Sequence, residues 1–208
     1  MLPKKQGLYS PEYEHDNCGA GFICSLQGKK TNDIIHKALD ILDCLEHRGA
    51  VSADGKTGDG AGILIEIPHE FLKNQCEFIL PEANEYAVGM VFLPQKDNQS
   101  SYCKGVLESE LKKQGLDVLG WRKVPVKHGV VGKIASQTEP KIMQIFVSKG
   151  NKSISDHQFN NKLFCARKIS EHTILNSKLS QSSYFYLPSL SIRTCLLYTS
   201  PSPRDVRS

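Results

Sequence analysis

The 208-residue chain has no apolar run approaching the roughly 20 residues that cross a bilayer, and its first residues lack the apolar core of a secretory signal. A soluble, intracellular protein with no membrane partner is the expectation. The chain also lacks any Cys-x-x-Cys pair. Its seven cysteines, at 18, 24, 44, 76, 103, 165 and 195, are odd in number and widely spaced. That argues against a disulfide framework and against a zinc or iron-sulfur site within this segment. Nor is there a dense basic stripe with interleaved aromatics. The net charge of +4 comes from lysines scattered among acids, so no nucleic-acid partner is expected. No internal repeat is visible. What is present, 39% hydrophobic residues over 208 positions, suffices for one domain with a substantial core.

Hydrophobic periodicity gives a coarse element order. Thr31 or Asn32 caps a predicted helix whose apolar positions, Ile34, Ile35, Ala38, Leu39, Ile41, Leu42 and Leu45, recur at three- and four-residue spacing, and which ends near His47. Phe22–Leu26 reads as an opening strand, and Ile63–Ile67, Tyr86–Leu93 and Lys141–Val147 read as buried strands. Val106–Gln114 and Phe159–Ser170 read as helices. Gln95–Ser101 and Lys149–Ser155 read as surface loops. Trp121, Val124 and Pro125 read as core plus turn. Strands and helices without strict alternation suit an α+β layered protein better than a doubly wound nucleotide fold. Gly58-Asp59-Gly60-Ala61-Gly62 superficially resembles a phosphate loop, but a strand follows it where that loop needs a helix N-terminus. A tight turn is the better reading.

The residue with chemistry to offer is Cys18, in the run Glu14-His15-Asp16-Asn17-Cys18-Gly19-Ala20-Gly21-Phe22. A lone cysteine is most often a small buried hydrophobe. Here a short polar leader precedes it, and Gly19 and Gly21 leave the approach to the sulfur open. If the leader is removed, Cys18 becomes the N-terminus. Its α-amine, with a reference pKa of about 8, can then accept the thiol proton, so one residue supplies nucleophile and base. Arg48 is the second candidate, since a guanidinium offers fixed positive charge and hydrogen-bond donors in rigid planar form. An arginine just after a helix is otherwise solvated surface. His47 has the weaker claim, since a histidine there complements a helix C-terminus.

These residues stand in motifs that resemble a known family. The stretch Gly7 to Phe22, then Glu46-His47-Arg48-Gly49-Ala50, Thr57 to Leu64 with Ile67-Pro68-His69, Gly120-Trp121-Arg122-Lys123-Val124-Pro125, Leu163 to Lys168 and Tyr184 to Thr194 follow in order. They are similar to the N-terminal part of glutamate synthase large subunits, class II glutamine amidotransferases of the N-terminal-nucleophile (Ntn) type. The resemblance implies a four-layer α-β-β-α sandwich of two antiparallel sheets, incomplete at its C-terminus. It implies that Cys18 is catalytic, that Arg48 binds substrate, and that L-glutamine is hydrolysed to glutamate and ammonia for reductive amination of 2-oxoglutarate. FMN and an iron-sulfur cluster are expected in other domains, and none in this segment. Implied partners are the remaining synthase domains and an NAD(P)H-oxidising subunit or ferredoxin.

The resemblance divides the chain into a propeptide at 1–17 that is removed on maturation, a partial amidotransferase domain at 18–194, and a tail at 195–208. The tail reads as non-native or artefactual sequence whose Pro-Ser-Pro composition supports no core element. The family's carboxylate-binding arginine, Asn-Gly oxyanion pair and substrate-binding aspartate are expected beyond Thr194, so the fragment by itself is expected to be inactive. Met1 with Lys4-Lys5, and no Ser- and Arg-rich leader, points to the cytoplasm, with a plastid the alternative if residues precede Met1. Two other readings stand beside this one. One is a class II amidotransferase of another kind, which the long leader disfavours; the other is a non-catalytic fragment that keeps its leader.

Overall fold

The computed structural model describes residues 7, 19–45, 60–127, 129, 132–150 and 153–200. Its centre is the strand β2, Tyr86–Leu93, in which every residue is buried. The run Tyr-Ala-Val-Gly-Met-Val-Phe-Leu has no charged or hydrogen-bonding side chain except the Tyr86 hydroxyl, so both of its faces can be covered. It pairs antiparallel with β4, Lys141–Ser148, and with β5, Tyr186–Ser191. The strand β3, Asp117–Lys123, adds to β4 and completes a four-stranded sheet in the order β3-β4-β2-β5.

Alternation along these strands divides the core in two. Ala87, Val91 and Leu93 of β2, with Ile145 and Val147 of β4, face the helices α3, Asp97–Lys113, and α5, Asp156–Leu175. Those helices contribute Cys103, Leu107 and Leu111, and Phe159, Leu163, Ala166 and Ile174, at spacings of three, four and eight residues. The other face of the sheet presents Tyr86, Val88 and Phe146, which cluster with Leu72 and Cys195. It also presents Met90, Phe92 and Ile142, against which Leu196 packs. Leu72 belongs to the short helix α2, His69–Gln75, and Cys195 and Leu196 to the last strand, β6, Thr194–Ser200. β6 pairs antiparallel with β1, Ala61–Glu66, as a two-stranded ribbon over this second face. Helices, sheet and second sheet thus stack in the expected order. The helix α1, Asn32–Cys44, contacts β1, and a further short helix, α4, spans Lys133–Gln137.

Several sequence expectations are met and several need correction. The strands at 86–93 and 141–147 and the three helices are present. The segment Phe22–Leu26 is not a strand; Phe22 is 90% and Leu26 100% exposed. Among the described residues no strand takes up its backbone groups, and a strand without a partner has no ladder to hold it. The strand 61–66 is not buried throughout, because only its Ile63 is enclosed while Leu64 faces solvent.

The expected loop at 95–101 is instead the first turn of α3. Its N-cap, Lys96, offers no side-chain bond, yet Gln99 donates to the Ser180 hydroxyl at 2.8 Å and accepts from the Gln181 backbone N–H at 3.0 Å. A tertiary contact there replaces a local cap. α5 begins three residues earlier than read, at a capping box in which Ser155 Oγ accepts from the Gln158 N–H and Gln158 Oε1 from the Ser155 N–H. β3, β5, α2 and α4 were not anticipated. Finally, 194–200 is a strand and Cys195 is buried. Cys-Leu-Leu-Tyr-Thr is itself a good strand sequence, and the prolines that break such structure come after Ser200.

Candidate functional site

Cys18, His47 and Arg48 lie outside the described residues, as does the turn up to Asp59. Their described neighbours are nevertheless brought together. α1 ends at Cys44, and Leu45, its C-cap, returns its N–H to the Ile41 and Leu42 carbonyls at 3.1 and 3.0 Å. A Cβ built on Gly19 would stand 2.9 Å from Leu45 Cδ2, and one on Gly21 would stand 2.6 Å from Ile41 Cγ2. Glycine at these two positions therefore makes room for the apolar stripe of α1. The residue after Cys18 touches the residue three before Arg48. This is a packing role for the glycines that the sequence did not suggest.

The described cysteines divide sharply. Burial pushes the Cys103 thiol up to about 11 and the Cys195 thiol to about 12. Burial also raises Cys76, with the Arg122 guanidinium opposing the rise. All three are protonated at neutral pH, and a thiol is a poor nucleophile. Cys24, Cys44 and Cys165 are exposed. Among the described residues no group of three or more His, Cys, Asp or Glu is arranged to hold a metal ion. No described helix is long and apolar enough to cross a membrane.

A cleft of about 380 Å³ opens where β1 runs into α2. Ile67, Pro68 and Phe71 form its apolar wall, and Lys30, Glu66, Glu70 and Arg193 supply charge around it. The wall is fixed in place. The Ile67 N–H donates to the Arg193 carbonyl at 3.1 Å, joining the end of β1 to the turn before β6. His69 Nδ1 is hydrogen-bonded to the Tyr86 hydroxyl at 3.1 Å, which ties the start of α2 to the buried centre of the large sheet. Burial, with the nearby Cys76, Cys195 and Glu70, pushes the Tyr86 hydroxyl up to about 12, so it stays neutral. Ile67-Pro68-His69 and Arg193-Thr194 were conspicuous in the sequence as motifs without a role. Only their meeting in space shows that both belong to one cleft.

The sequence also matches an established family. The family described as glutamine amidotransferases class-II matches residues 18–206. The chain belongs to the class II glutamine amidotransferases. The two sheets with helices on the outer face of the larger one agree with the α+β, Ntn-type fold of that family. Three similar proteins are glutamate synthases. The NADPH glutamate synthase large chain of Bacillus subtilis is 39% identical over 207 residues, covering 99% of this chain and 13% of its own length. That of Azospirillum brasilense is 41% identical over 192 residues, covering 90% and 12%. Ferredoxin-dependent glutamate synthase 2 of Synechocystis is 39% identical over 184 residues, covering 87% and 11%. The amidotransferase chain therefore spans about an eighth of the length of the relatives it matches. The match runs past Thr194, the end of the quoted motifs, to residue 206.

Proposed function

We propose that this chain is the glutamine-hydrolysing part of a glutamate synthase, with Cys18 as its nucleophile once residues 1–17 are removed. The observation that carries the reading is that the family match begins at residue 18, the position at which a mature N-terminal cysteine would stand. The packing of Gly19 on Leu45 supports a shared site for Cys18 and Arg48, since it draws their chain neighbours together.

In this reading the α-amine of Cys18 takes the thiol proton and the sulfur attacks the side-chain amide carbon of glutamine. As the C–N bond breaks, the ammonium form of the amine returns that proton to the leaving nitrogen. Ammonia departs and a thioester remains. Water, deprotonated by the same amine, then attacks the thioester carbon, releasing glutamate and restoring the thiol. The Arg48 guanidinium holds the substrate by charge and paired N–H donors. The ammonia serves the reductive amination of 2-oxoglutarate elsewhere in the longer protein. FMN and an iron-sulfur cluster would supply the reducing electrons there, drawn from an NAD(P)H-oxidising partner or from ferredoxin. The cytoplasm is the compartment we propose.

The test is Cys18→Ala in the synthase that carries this domain. Glutamine-dependent glutamate formation should fall on the order of 10³-fold or more while ammonia-dependent formation persists. The intact mass of the wild-type protein should begin at Cys18. An active enzyme that retains Met1 to Asn17, or glutamine-dependent synthesis that survives the substitution, would overturn the assignment.

A further inference from the structure

We infer that the cleft between the end of β1 and α2 binds a zwitterionic α-amino acid with an apolar side chain, without using the Cys18 thiol. The argument begins with charge. Two cations, Lys30 and Arg193, and two anions, Glu66 and Glu70, line the cleft, so its lining is neutral overall. Lys30 Nζ and Glu66 Oε1 are 2.7 Å apart and satisfy one another. Among the described residues neither Arg193 nor Glu70 closes a salt bridge. The cleft therefore presents one unmatched positive and one unmatched negative group. A simple anion would meet Arg193 but leave Glu70 facing it, and a simple cation would do the reverse. A carboxylate and an ammonium carried on one small molecule answer both.

The walls decide the rest of the ligand. The apolar part of the lining, Ile67, Pro68 and Phe71, favours an aliphatic side chain over a charged one. A volume of about 380 Å³ is at the small end of ligand sites, which suits a single amino acid. The site is also preformed, because the Ile67–Arg193 backbone bond and the His69–Tyr86 bond hold both sides of it. Arg193 also acts by charge on Asp156, whose salt-bridge partner is Lys149 Nζ at 2.9 Å.

L-leucine, 4-methylpentanoate and 3-methylbutylamine are the probes, titrated calorimetrically into the 208-residue chain. The second lacks the ammonium and the third lacks the carboxylate. Leucine should bind with a Kd on the order of 1 mM, and each analogue about threefold more weakly, in keeping with exposed charges. Arg193→Gln should reduce leucine to the affinity of the amine while leaving the amine itself unchanged. Glu70→Gln should do the same with respect to the carboxylate. Cys18→Ser should leave leucine binding as it is, so failure of the glutaminase assignment would not touch this result. The site is refuted if leucine binds no better than its analogues, if Arg193→Gln weakens all three alike, or if leucine binding is lost with Cys18→Ser.

Discussion

The four-stranded sheet and the β1–β6 ribbon are built from similar strand sequences, yet they differ in how much of them is enclosed. β2 has α3 and α5 on one face and the ribbon on the other, and all eight of its residues are buried. β1 has a covered Ile63 next to an exposed Leu64, and the segment before α1 carries Phe22 and Leu26 into solvent. What separates the two regions is the number of layers packed against each strand, since apolar side chains stabilise in proportion to the area they remove from water. The well-enclosed region is where structure is most strongly specified. Gly19 and Leu45, near in the chain to the candidate residues Cys18 and Arg48, belong to the thinly covered one.

The contrast should break first at the helix core. Phe159→Ala removes a fully buried ring between α5 and the large sheet, and a loss of about 3–5 kcal/mol is expected by urea denaturation. Ile41→Ala on α1, where the side chain is only half-buried, should cost less than about 1 kcal/mol. Equal losses at the two positions would mean that α1 is as firmly packed as α5.

A smaller effect tests the junction between the sheets. Arg122 donates to Gln144 Oε1 at 2.9 Å, and the Gln144 amide donates to the Leu196 carbonyl at 3.4 Å, so a buried glutamine links β3 and β4 to β6. Gln144→Leu should cost about 1–3 kcal/mol by stranding both partners. Hydrogen exchange should also rise along β6 more than along β5. If exchange changes equally in both strands, the glutamine is not what seats the ribbon.

The gentlest probe is alkaline pH. Tyr86 and Cys195 are pushed to about 12 and Cys103 to about 11, each mainly by burial. With folded values above the unfolded ones, the folded state keeps protons that the unfolded chain releases. The associated stability is complete below about pH 9 and declines as pH rises towards 12. Urea midpoints should therefore fall across that window, and less steeply in Tyr86→Phe. Over the same range the exposed Cys24 and Cys165 should alkylate without unfolding, and Cys103 and Cys195 only with it. A midpoint that holds steady to pH 12 would contradict the burial of these groups.

Much of the fold was legible because its signals are local. The unbroken apolar run of β2 and the three- and four-residue spacing in α1 are each read within a few residues of the chain. The first turn of α3 was not legible, because its support comes from Ser180 and Gln181, some 80 positions away. β3 was hidden because Trp121 with Val124 and Pro125 read as core plus turn. In the structure the Phe78 ring sits 2.5 Å from where a Gly120 Cβ would be, and the Trp121 indole donates to Glu108 at 2.6 Å.

For the site, the sequence by itself determined the family and the candidate nucleophile. Both depend on residue types in a fixed order, and Cys18 needs only its own thiol and a freed amine to be chemically plausible. Tertiary structure alone decided that Gly19 and Gly21 are packing positions for α1, and that Ile67, Glu70 and Arg193 line a common cleft. Those relations join residues up to 126 positions apart, and only the antiparallel pairing of β1 with β6 and the contact of α1 with the Gly19–Gly21 segment bring them within reach.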